Sequence, residues 1–125
     1  MLDDYGGFTA RATVAGAYPV EGAIVRMLGA EEENRDIAYS VLTDMDGLTP
    51  KIALPAPSVS YSLTPQDNIP YSLYDIEIYK EGYYPKKISG ISVFPGQDSL
   101  LEINMIPMDS QTENTEPNGN LDANV

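Results

Sequence analysis

The chain has 125 residues, 19 of them acidic and 7 basic, giving a net charge of −12, and it contains no histidine and no cysteine. Scattered lysines and arginines on so acidic a chain argue against a nucleic-acid partner or an anionic membrane surface. Without imidazole or thiolate, most nucleophilic, acid–base and transition-metal chemistry is lost, and no stretch approaches the ~20 apolar residues of a spanning helix.

Met1-Leu2-Asp3-Asp4-Tyr5 is acidic and has no apolar core, so no secretory signal is visible. The length suits one domain. Its expected limits are residues 7–108, after an N-terminal segment 1–6 and before an acidic tail 109–125. That tail, rich in Asn, Glu, Thr and Ser, offers too little apolar surface to offset ordering entropy and is expected to be disordered.

In chain order, residues 8–15 alternate with a period of two, placing Phe8, Ala10, Ala12 and Val14 on one face. Gly16 to Gly22 bends the chain into a strand at 23–28 that buries Ala23, Val25 and Met27. The acidic stretch Glu31-Glu32-Glu33-Asn34-Arg35 leads to a strand at 37–43. Asp46-Gly47 then reads as a hairpin turn into a strand at 48–54, because Gly accepts the positive φ such turns need. Residues 55–70 carry four prolines and read as a stiff surface loop. A strand at 71–80 buries Tyr74, Ile76 and Ile78 and turns Asp75, Glu77 and Tyr79 outward. Residues 86–94 form another strand, interrupted at Gly90. The last strand buries Leu101, Ile103 and Met105 and exposes Glu102 and Asn104. No segment has a 3.6-residue period. Seven or eight short strands with turn signals about every ten residues predict an all-β, Greek-key-like β-sandwich.

Gly22-Ala23-x-Val25, Thr43-Asp44-x-Asp46-Gly47 and Tyr74-x-Ile76-x-Ile78, followed by Gly82-Tyr83, resemble the carboxypeptidase regulatory-like domains. These are transthyretin-like (prealbumin-like) sandwiches related to the collagen-adhesin B-type repeats of Gram-positive surface proteins. Leu54-Pro55-Ala56-Pro57, Pro70-Tyr71-x-x-Tyr74, Gly82-Tyr83-Tyr84-Pro85, Phe94-x-Gly96 and Asn104-Met105-Ile106-Pro107 resemble a subgroup from spore-forming bacteria. The resemblance spans about residues 7–107. It implies a module without catalytic activity or cofactor, in a bacterial envelope or spore, synthesised in the cytoplasm and contacting a protein or a cell-wall polymer. Self-association into a surface structure, and service as an accessory domain of a cell-wall hydrolase, are the alternatives. B-type repeats often carry a Lys–Asn isopeptide crosslink. Here Asn104 lies in the last strand, with Asp75 or Glu77 as superficial carboxylate candidates, but the first strand offers Arg11, which is no amine nucleophile at neutral pH.

Asp75, Glu77 and Glu102 can share one outer face, but an open sheet supplies no desolvated site to tune a carboxylic acid. Asp44 and Asp46 are the weak calcium candidates, since two carboxylates in a tight turn suit a hard cation. Asp3-Asp4 or Glu31-Glu32-Glu33 would have to complete that site, and the simpler role is capping the turn. Aromatic content is mostly tyrosine, with nine Tyr, two Phe and no Trp. Tyr74 is assigned to the core and Tyr83 beneath the Gly82 turn. Tyr79, Tyr84 and Tyr71 are left as exposed contact residues, because tyrosine offers a flat amphipathic surface at low entropic cost.

Overall fold

The computed structural model describes residues 2, 4–58 and 70–108. The alternating N-terminal segment forms β1 (Asp4–Val14), followed by β2 (Tyr18–Pro19), β3 (Ile24–Gly29), a 3₁₀ turn (Glu32–Asn34), β4 (Ala38–Leu42), β5 (Ile52–Ala56), β6 (Ser72–Tyr79), β7 (Lys86–Val93) and β8 (Asp98–Met105). One sheet joins β2, β1 and β5, with β8 running parallel to β1; the other has the order β4-β3-β6-β7. The protein is thus the all-β sandwich its periodicity predicts. The expected tail at 109–125 and residues 59–69 of the proline loop lie outside the described residues.

Period-two alternation decides which side chains meet between the sheets. Phe8, Ala10, Ala12, Leu54, Ile103 and Met105 come from one sheet, and Val25, Met27, Tyr74, Ile76, Ile78 and Val93 from the other. The Tyr74 ring is fully buried, and its hydroxyl donates to the Pro55 carbonyl at 2.6 Å, tying β6 to β5 across the core. Ser72 shares this inner face, and among the described residues its buried hydroxyl has no partner. An unsatisfied buried hydroxyl carries its desolvation cost without return. Ser72→Ala is therefore expected to be neutral or stabilising by up to about 1 kcal/mol. Chemical denaturation checks this; a loss above about 1 kcal/mol would show that the hydroxyl is bonded.

Three local expectations need correction. Asp46-Gly47 is a tight turn but not a hairpin, since β4 and β5 belong to different sheets. Gly47 has φ of +79°, and its N–H donates to the Asp44 carbonyl at 2.9 Å. Two buried threonines decide the crossing. Thr43 Oγ1 accepts from Ala23 N–H at 2.9 Å and donates to the Val20 carbonyl, holding the entry beside β3. Thr49 Oγ1 accepts from Ala10 N–H at 3.0 Å, holding the exit against β1. The fourth strand is also displaced: β5 contains Pro55, which is tolerated because, among the described residues, β5 pairs only with β1. Finally, residues 4–6, expected before the domain, open β1 and pair with 54–56.

Gly90 marks a β-bulge, as its strand-breaking character suggests. Tyr74 opposes Ile91 and Ile76 opposes Ile88, so Ser89 and Gly90 together face Asp75. Gly90 has φ of +74°, and its N–H donates to Asp75 Oδ1 at 3.1 Å.

Candidate functional site

The outer face of the β4-β3-β6-β7 sheet carries the best candidate contact surface. Ile24 stands opposite Leu42 on one side and Tyr79 on the other, so register places three large apolar residues in one row across three strands. All three are exposed, Leu42 and Tyr79 by more than half. Arg26 stands between Ser40 and Glu77, and Glu77 faces Lys87, forming a polar row two residues further along the strands. Tyr79, Ile24, Pro85, Arg26, Glu77 and Lys87 line a groove of about 400 Å³ between these rows. Arg26 Nη1 and Glu77 Oε1 are 3.1 Å apart, a surface pair contributing at most about 1 kcal/mol. Lys86 Nζ donates to the Asn104 carbonyl at 2.5 Å, fixing the groove's end to β8.

Of the expected contact residues, Tyr79 lines the groove, and exposed Tyr84 immediately precedes its wall residue Pro85. Tyr84 N–H donates to the Ile106 carbonyl at 2.9 Å, which anchors that rim to the end of β8. Tyr71 is exposed but stands before the other end of β6, roughly 26 Å from Tyr79 at ~3.3 Å per strand residue. There it packs on Phe94, with ring centroids 5.3 Å apart. The three tyrosines therefore do not form one patch.

The carboxylates do not converge either. Asp75 and Glu77 are on β6 and Glu102 is on β8, so they belong to different sheets and cannot form the stripe considered from sequence. Glu102 lies 3.6 Å from Arg11. Asn104 is exposed, its side-chain oxygen accepting from Gly16 N–H at 3.3 Å, so the isopeptide constellation is not assembled. At the calcium candidates, Asp44 Oδ1 accepts from the N–H groups of Asp46 and Leu48 at 2.9 and 3.0 Å, and so caps its own turn. Among the described residues, no group of three or more His, Cys, Asp or Glu side chains is placed to hold a metal ion. No described helix is long and apolar enough to cross a membrane.

The acidic stretch before β4 makes bonds that sequence reasoning did not assign. Asn34 is fully buried; its side chain accepts from Glu31 N–H at 2.8 Å and donates to the Leu73 carbonyl at 3.0 Å. Glu31 Oε1 accepts from Leu73 N–H at 3.0 Å, so the stretch is stitched to β6. The signal in the sequence is Glu31-x-x-Asn34, a reciprocal cap of the 3₁₀ turn.

Searches with the sequence match no protein-family model and no curated protein. Solved structures share the fold, two of them as follows. The Bacillus anthracis TIE protein aligns with a TM-score of 0.57 at 17% identity, over 84% of this chain and 17% of its own. The 3-chlorocatechol 1,2-dioxygenase of Rhodococcus opacus aligns with a TM-score of 0.54 at 13% identity, over 84% of this chain and 61% of its own. The chain thus spans only part of either protein, and at these identities the likeness is one of β-sandwich architecture.

Proposed function

We propose that the chain is a non-catalytic structural or adhesive module of a bacterial envelope or spore, a transthyretin-like sandwich that makes protein or cell-wall contacts through the sheet face around Tyr79. The observation that carries this reading is the exposed apolar row Leu42–Ile24–Tyr79 beside Arg26 and Lys87 on the outer sheet face. Large amphipathic rings next to cations are typical of interface centres. The Bacillus neighbour, matched over a small part of its length, supports a modular role in such an organism. A non-enzymatic role is supported by the lack of histidine and cysteine and by carboxylates divided between the sheets.

Co-sedimentation with purified peptidoglycan sacculi, beside a protein-only control, tests the reading. Pelleting with sacculi alone is expected, whereas a chain that stays soluble in both tubes would remove the wall role. Pelleting without sacculi would instead favour self-assembly.

A further inference from the structure

We propose that β4 is a strand-addition site for an extended segment of a different protein, uncharged over about five residues and basic on both flanks. Among the described residues β4 is the outer strand of its sheet, paired only with β3. Gly29 N–H donates to the Ile37 carbonyl and Thr43 N–H to the Ala23 carbonyl, both at 3.0 Å. These bonds fix the ladder: residues 37, 39, 41 and 43 bond to β3, while Ala38, Ser40 and Leu42 direct N–H and C=O groups outward. Among the described residues nothing meets those groups. A free row of alternating donors and acceptors is complementary to another extended chain.

The other described edges are guarded. β7 begins Lys86-Lys87 and carries the bulge at Gly90, β5 and β2 contain proline, and β8 carries Asp98 and Glu102. In contrast, β4 reads Ala38-Tyr39-Ser40-Val41-Leu42, without charge, proline or glycine. Lysine, proline and bulges are the usual protections of an edge, and β4 has none.

Charge selects the occupant. Exposed Glu32 and Asp36 precede β4, exposed Asp44 and Asp46 follow it, and the nearby Arg35 lies 3.5 Å from Glu32. A second copy paired antiparallel about Ser40 would set Asp36 against Asp44 at both ends, and opposed like charges destabilise a ladder. An uncharged strand with basic flanks meets acid at both ends instead. This site lies at the opposite edge of the sheet from β7, and strand addition there does not depend on contacts around Tyr79.

The probe is a nine-residue peptide of five alternating valine and threonine residues between paired lysines, with a glutamate-flanked version as control. Fluorescence anisotropy against the full chain is expected to show binding of the lysine peptide at least about tenfold tighter than the control, weakening with salt. Ser40→Pro removes one outward donor and leaves the β3 ladder intact, so it is expected to abolish binding with little change in melting temperature. In the wild-type chain, hydrogen exchange at Ala38, Ser40 and Leu42 should slow when the peptide binds, a readout that needs no variant. No binding up to about 1 mM, equal binding of both peptides, or full binding by a folded Ser40→Pro chain would overturn the proposal. A dimer of the chain alone that Ser40→Pro dissolves would also overturn it and make a second copy the occupant.

Discussion

Tyr74→Ala is expected to lower stability by about 3–5 kcal/mol, the usual cost of emptying a fully buried aromatic site. The truncation leaves a cavity between the sheets and strips the Pro55 carbonyl of its 2.6 Å donor. A single domain has only about 5–15 kcal/mol in hand, so this one change removes a large share. Urea denaturation measures it, and a near-neutral result would mean that the ring does not hold the sheets together. Tyr74→Phe separates the hydroxyl from the ring. Burial pushes the Tyr74 pKa up from 10.0 to about 12, the nearby polar side chain of Asn34 opposing the shift. The raised value means that the folded state keeps this proton after the unfolded chain has lost it. The associated stability is therefore fully present below pH 10 and is lost as pH rises from about 10 to about 12, by roughly 3 kcal/mol in all. Tyr74→Phe should cost about 1 kcal/mol at neutral pH, and its deficit against wild type should vanish and then reverse across that alkaline window. A deficit independent of pH would contradict burial of the hydroxyl.

Gly47→Ala is expected to cost more than about 3 kcal/mol. At φ of +79° any Cβ is strained, and here it would also run into the Ala12 carbonyl and come within 3.3 Å of Pro19 Cβ and Val20 N. Gly82 is the matched control. Its φ is +90°, but a Cβ there meets nothing within 4 Å, so Gly82→Ala should cost only about 1 kcal/mol of backbone strain. Similar denaturation midpoints for the two variants would show that the turn at the sheet crossing is not closely packed.

Strand phase was legible because burial repeats every second residue: Val25 and Met27, then Tyr74, Ile76 and Ile78, are inward as the alternation requires. Sheet membership was not. Asp46-Gly47 encodes a reversal of direction, but Thr43 and Thr49, bonded to Ala23 and Ala10, decide that the reversal changes sheets. The same non-local pairing separates Glu102 from Asp75 and Glu77. In the candidate site, Tyr79 and Tyr84 were legible as surface residues from their phase and neighbours. The row to which Tyr79 belongs was not, because Ile24 meets Leu42 and Tyr79 only through a register set across three strands. The bonds of Glu31 and Asn34 were hidden for another reason: in an acidic stretch, polar residues that bond β6 look like residues that bond water.

In the proposed function, contact is made at the Tyr79 end of the sheet. Tyr71 is the internal control, equally a surface tyrosine but at the far end of β6 and packed on Phe94. The decisive measurement is the fraction pelleting with sacculi for Tyr79→Ala beside Tyr71→Ala, both folded. Loss of pelleting in Tyr79→Ala with retention in Tyr71→Ala is expected. Retention in Tyr79→Ala, or equal loss in both, would contradict a contact surface centred on that groove.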